Sequence, residues 1–168
     1  YRMSYGPDDR LMVFCRSHED VEALSTALNV PGYTSQTADT NAATMRKWRS
    51  GENIVMVSTT ILGCGFDYAN VRHVLHWNTA YTMIDQHQQE SRAGRDGRRA
   101  EAITYISAGF EPSKRASERS FGRPELEEWA ASTEQCLRTI PSSYLDGVPV
   151  TCSLLQKCEY CWYCQSQM

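Results

Sequence analysis

Residues 11–28, LMVFCRSHEDVEALSTAL, decide the fold. Leu11 to Cys15 is an apolar run of strand length. Ser17 then stands three residues before Asp20, a spacing that lets a hydroxyl accept from an unpaired amide of a first helical turn while a carboxylate answers it. The residues that follow predict a helix with Val21, Leu24 and Leu28 on one face. Further out, a second helix is expected from about Asn41 to Arg49, with Ala42, Met45 and Trp48 on one face and Gly51 to stop it. Ile54 to Ser58 reads as a second buried strand, His73 to Trp77 as a third and Ala102 to Ile106 as a fourth, with a polar helix from Thr82 to about Ser91 before the last. Strands that alternate with helices, with no hairpin turns between them, indicate an α/β fold: a parallel sheet covered by helices on both faces.

The 168 residues suit one domain, at roughly 100–200 residues each, or one with a small appendage. With 41% apolar and 22% charged residues the chain is neither disordered nor fibrous. No apolar run reaches the ~18 residues of a membrane span, and the first ten residues lack the apolar core of a signal peptide, so an intracellular protein without a membrane partner is expected. A net charge of -3 excludes binding nucleic acid through bulk charge but not through a local basic stripe. From Gly109 to Gly122 the sequence turns to Ser, Lys, Arg and Glu, with Pro112 and Pro124 near its margins, which is how a linker reads. The expected division is therefore 1–108, a linker 109–122, and 123–168. In the last part Pro124 suits the first turn of a helix carrying Leu126, Ala130, Thr133 and Leu137, closed by Pro141, which would deliver Cys136.

Two segments offer phosphate chemistry. Residues 88–99, QQESRAGRDGRR, place Arg92 and Arg95 on a loop kept slim by Gly94 and Gly97, so that two guanidiniums can meet one polyanion. A solvated basic turn is the plain alternative. Residues 58–67, STTILGCGFD, end a strand in hydroxyls and continue through Gly63 and Gly65 to Asp67, offering amides and hydroxyls at the carboxyl edge of a sheet. No third glycine opens a helix, which excludes a dinucleotide fingerprint, and no GxxxxGK[ST] occurs.

Seven cysteines, five of them from Cys136 onward, suit metal ligation better than a secreted disulfide framework. Cys136, Cys152, Cys158, Cys161 and Cys164 compete for the four places of a tetrahedral zinc ion, which would replace the core that so short a segment cannot build. Cys15 and Cys64 read as small buried residues. His73 and His76, three apart in a strand, point to opposite faces and are structural rather than a metal pair. Tyr160, Trp162 and Tyr163 either stack on bases or pack around the metal.

In order and distance these segments resemble the second motor domain of superfamily 2 helicases, and the RecQ family in particular. Leu11 to Leu28 looks like that family's fourth motif, Gly32 to Thr37 (GYTSQT) like its Tyr-His turn, Val57 to Arg72 like its fifth motif, and Gln88 to Gly97 like its sixth. Thr34 stands where the family has histidine, and Ser91 where it has glycine. The resemblance implies a RecA-like domain and then a helical zinc-binding subdomain, within a 3′–5′ DNA helicase. In this likeness Arg95 is the arginine finger and Arg92 its companion, and Gln88 and Gln89 compete for the role of polar sensor. Gly63, Gly65 and Asp67 couple nucleotide to nucleic acid, while Ser17 and Thr59 contact the backbone of single-stranded DNA. ATP and Mg2+ would bind only together with a first RecA-like domain, so the chain alone should not hydrolyse ATP. The implied zinc ligands are Cys136, Cys152, Cys158 and Cys161, or, with Cys164 in place of Cys152, the CxxCxxC form of the subdomain. A eukaryotic protein of this kind would be nuclear. The competing expectation is a non-catalytic, zinc-stabilised nucleic-acid-binding module derived from a helicase.

Overall fold

The computed structural model describes residues 5–63, 67–110, 122–156 and 158–168. These form two compact units, residues 5–80 with 88–110, and 81–87 with 122–168.

The first unit is an all-parallel five-stranded sheet in the order β2-β3-β1-β4-β5, built from β1 (Arg10–Cys15), β2 (Gly32–Tyr33), β3 (Val55–Ser58), β4 (Val71–Trp77) and β5 (Glu101–Tyr105). Only β2 has no counterpart among the expected strands. Its two residues pair Gly32 with Val57 and Tyr33 with Ser58, a span too short for any periodicity to show.

Alternation along β1 sorts the core into two layers. Met12 and Phe14 join Met56, Val74 and Leu62 under Trp48 of α2 (Ala38–Ser50). Val13, Cys15 and Val57 face Val21 and Leu24 of α1 (His18–Leu28). Ser17 caps α1 as its spacing suggested, accepting from the Asp20 amide at 3.0 Å and donating to the Asp20 carboxylate at 2.7 Å. Leu28, expected on the buried face, is instead exposed beside the left-handed Asn29 that ends the helix. In α2 the buried face is Asn41, Thr44 and Trp48 rather than Ala42, because Asn41 is pulled inward to donate to the Thr34 carbonyl at 2.7 Å. Arg10, 1% exposed, ties off the far end of α2 by donating to the carbonyls of Trp48 (2.6 Å) and Arg49 (2.9 Å). Gly51 turns the chain there at φ 85°, where a Cβ would lie 2.9 Å from the Arg10 guanidinium.

α3 (Met83–Glu90) starts from a Thr82 hydroxyl that accepts from the Asp85 amide. Its Met83 belongs to the core of the second unit, with Leu126 of α4 (Arg123–Ala131) and Ile140 of α5 (Thr139–Asp146). The single helix expected from Pro124 to Leu137 thus stops at Ala131, and α5 begins only past its expected end. Ser132, whose side chain competes for backbone hydrogen bonds, ends α4 in extended conformation, so Cys136 sits on the loop between α4 and α5. Pro141 opens α5 instead of closing its predecessor, since in a first turn its missing N–H costs nothing. A short α6 (Trp162–Ser166) carries Cys164. Most of the expected linker, residues 111–121, lies outside the described residues. Among those described, no helix is long and apolar enough to cross a membrane.

Candidate nucleotide and metal sites

Residues 91–99 run from the end of α3 to the start of β5 as a succession of turns. Arg92 is folded inward and only 8% exposed, with Ala93 packed on the core layer beneath Trp48. Arg95 stands at the surface. It donates from Nε to the Ser91 carbonyl at 3.1 Å and from Nη1 to the Asp67 carboxylate at 2.8 Å. The arginine loop and the end of the glycine segment therefore meet on one surface. Gly63 closes a 3-10 turn, Thr60–Gly63, whereas Gly65, with Cys64, lies outside the described residues. Ser91 needs no left-handed backbone and donates its hydroxyl to the Gln88 carbonyl, so a side chain in place of glycine is accommodated. Gly94 favours glycine through its left-handed φ of 68°, and a Cβ there would also sit tightly, 3.0 Å from that of Ala100.

The two glutamines part company. Gln88 is exposed; Gln89 is 3% exposed and its Oε1 accepts from His76 Nε2 at 2.9 Å. His76 stacks on Phe14, and burial pushes its pKa down to about 4 against the opposing hydrogen bond from Gln89. His73 is directed to the Tyr5 hydroxyl and to Glu101, so the two histidines share nothing.

An ion-pair network that the sequence reading missed lies beneath the loop. Arg72, 5% exposed at the start of β4, sits 2.7 Å from Asp96 and 3.2 Å from Asp9, and donates to the Arg99 carbonyl at 3.0 Å. Arg98 reaches the same two carboxylates from the surface. The Arg72 guanidinium beside Asp96, helped by Arg98, holds that carboxyl well below the usual carboxylate range. The available signal was a charged residue placed second in the apolar run from Val71 to Trp77, where only a paired charge is tolerated.

Ser17 and Thr59 stand just beyond the carboxyl ends of the neighbouring strands β1 and β3. Ser17 is already engaged as a helix cap, and Thr59 is 9% exposed with its amide donating to the Tyr33 carbonyl. Thr34, in the histidine position, is buried and caps the turn Ser35–Thr37 by accepting from the Gln36 amide.

In the second unit the sulfurs of Cys136, Cys152, Cys161 and Cys164 all lie within 4.8 Å of one another. Both expected ligand sets included Cys158, and the structure leaves it out: its thiol donates to the carbonyls of Cys152 and Leu155, turned there by the short 3-10 turn Cys152–Leu154. The four take Cys164 in its stead. Cys136 lies 3.6 Å from Cys152 and 3.9 Å from Cys161, against the ~3.8 Å between sulfurs that a tetrahedral ion with ~2.3 Å bonds requires. The Cys152 amide donates to Cys136, and the Cys161 amide and the Arg138 guanidinium to Cys152, donors suited to thiolates. Burial raises the Cys161 thiol, but donors from Cys164 and Leu137 outweigh it and bring it down to about 7, while burial and its sulfur neighbours push Cys164 up to about 12. Cys15 is 3% exposed, and burial pushes it up to about 12, as suits an inert core residue. Tyr160 and Trp162 are exposed, and Trp162 meets Tyr163 edge-on.

Residues 2–97 match the family described as helicase conserved C-terminal domain. The chain is 26% identical to ATP-dependent DNA helicase Q1 of Pongo abelii over 161 residues, 89% of this chain and 25% of that protein. It is 34% identical to ATP-dependent DNA helicase Q5 of Rattus norvegicus over 102 residues, 57% of this chain and 10% of that one. It thus spans a quarter or less of these relatives. Of solved structures, E. coli DEAD-box protein SrmB bound to regulator of ribonuclease activity A is similar at TM-score 0.51 and 23% identity, over 59% of this chain and 62% of that one. S. cerevisiae Dbp5 bound to RNA and ADP BeF3 gives 0.53 and 18%, over 60% and 29%. At such identities the likeness establishes a RecA-like fold.

Proposed function

Since the chain belongs to the family of helicase conserved C-terminal domains, with RecQ-type helicases among its relatives, we propose that it is the second motor domain of an ATP-dependent 3′–5′ DNA helicase, followed by a zinc-binding subdomain. The observation that carries this is the meeting of Arg95 with Asp67, which brings the arginine loop and the glycine segment onto one surface. There Arg95 acts as the arginine finger, with Arg92 behind it as a buried companion. Gln88 takes the sensor role, because Gln89 is committed to His76. Gly63, Gly65 and Asp67 couple this surface to the carboxyl edge of the sheet, where Ser17 and Thr59 meet the backbone of single-stranded DNA. ATP and Mg2+ bind when a first RecA-like domain supplies the phosphate loop and acidic residues. The protein acts in the nucleus if its source is eukaryotic.

Residues 1–108 form the motor domain, 109–122 the linker and 123–168 the subdomain, onto whose core Met83 is packed. Cys136, Cys152, Cys161 and Cys164 would hold Zn2+: the donor set is all thiolate, the sulfur spacing fits, and four thiols cannot ionise together without a cation. Four sulfurs close the coordination sphere, so the ion's part is structural.

The test is DNA-stimulated ATP hydrolysis. The chain alone should show none, the chain joined to a first motor domain should turn over, and Arg95→Ala should abolish that turnover. Hydrolysis by the chain alone, or persisting in Arg95→Ala, would overturn the proposal.

A further inference from the structure

The loop that carries Arg95 has no regular structure of its own, yet a finger helps a transition state only if it is already in place. Its tethers converge on two consecutive residues of β4. The Gly94 amide, just before Arg95, donates to the Val71 carbonyl at 3.0 Å. Asp96, just after it, is held by Arg72 at 2.7 Å, and the same guanidinium takes the Arg99 carbonyl at 3.0 Å. We propose that Arg72 and Asp96 are positioning residues of the ATP site, their ion pair fixing the arginine loop to the sheet so that Arg95 is presented to the nucleotide. This rests on Arg95 being the finger.

β4 lies between β1 and β5, so it is held on both sides and gives the loop a rigid reference. A guanidinium only 5% exposed must be matched by opposite charge, and Asp9 and Asp96, 8% and 17% exposed, supply it from two separate segments. Arg72 reaches Asp96 and the Arg99 carbonyl from the two ends of a planar fork while its Nε faces Asp9 at ion-pair distance, a spread that the compact ammonium of lysine does not span. Arg98 shares both carboxylates, but its side chain is 60% exposed, so water and salt screen it and Arg72 remains the fixed partner.

The experiment uses the full chain joined to a first motor domain and compares Asp96→Asn, Asp96→Glu and Arg72→Lys with Arg95→Ala. Displacing a catalytic group by ~1 Å can cost ~100-fold in rate. Asp96→Asn and Arg72→Lys should therefore lower kcat about 10- to 100-fold while leaving the KM for ATP and the affinity for single-stranded DNA unchanged, with Asp96→Glu recovering part of the loss. Melting curves identify any variant that fails to fold, and the remaining two then carry the comparison. Full kcat in Asp96→Asn and Arg72→Lys, with Arg95→Ala dead, would overturn the positioning role alone. Loss confined to ATP or DNA affinity would also overturn it. Normal turnover in Arg95→Ala would instead remove the finger and this inference with it.

Discussion

His76 donates from Nε2 to Gln89 Oε1 at 2.9 Å, joining strand β4 to the last turn of α3 just ahead of the arginine loop. The bond commits one of two adjacent glutamines to the interior and leaves the other for solvent and ligands.

The pair makes the fold sensitive to acid. Burial lowers the His76 pKa from 6.5 to about 4, so between those values the unfolded chain takes up a proton that the folded chain refuses. Its contribution is complete above pH 6.5 and is lost as pH falls toward 4, about 3 kcal/mol in all as an order of magnitude. Urea denaturation at pH 7 and pH 4.5 should show that loss, and His76→Phe should shrink the difference between the two. An unchanged difference in the variant would place the acid sensitivity elsewhere.

The same bond separates Gln88 from Gln89 in function. Gln89→Ala leaves a buried imidazole N–H without its acceptor and should destabilise the chain by about 1–3 kcal/mol. Gln88→Ala touches nothing buried and should leave the melting temperature unchanged, while slowing ATP turnover once a first motor domain is present. Equal stabilities, or a catalytic loss only in Gln89→Ala, would reverse the assignment.

Single-stranded DNA should bind the chain weakly and with steep salt dependence, because a net charge of -3 leaves only a few local phosphate contacts to supply affinity. Fluorescence anisotropy between about 50 and 200 mM salt would show it. A flat response would point to stacking on the exposed Tyr160 and Trp162 instead.

The parallel sheet and its helices were legible because β1 and β3 are largely buried and read as apolar runs, and because Ser17 and Gly51 punctuate the helices by direct chemistry. β2 was not, since two residues carry no pattern. Tertiary demand also overrode local pattern at Asn41, which is buried to satisfy the Thr34 carbonyl while Ala42 is left outside. The arginine loop was visible as a motif, but its tether was not: Arg72 and Asp96 are 24 positions apart, and nothing local announces that one binds the other. The cysteine cluster was visible as a set of five, whereas its membership depended on turn geometry around Cys152.

That membership gives the most direct test of the second unit. Its core among described residues is small, with Met83, Leu126 and Ile140 buried and Trp129 and Tyr144 packed against them, so binding of an ion adds directly to its folding free energy. Cys136 comes from the loop before α5, Cys152 from the turn Cys152–Leu154, and Cys161 and Cys164 from the start and body of α6, so one ion would pin three pieces of chain together. Cys136→Ser, Cys152→Ser and Cys164→Ser should each lose zinc in native mass spectrometry and leave the second unit sensitive to protease, while the sheet unit persists on its own two core layers. Cys158→Ser should keep a full complement, because that thiol is spent on the carbonyls of Cys152 and Leu155. Zinc lost from Cys158→Ser but retained by Cys164→Ser would exchange those two ligands, and full occupancy in Cys136→Ser would remove the site altogether.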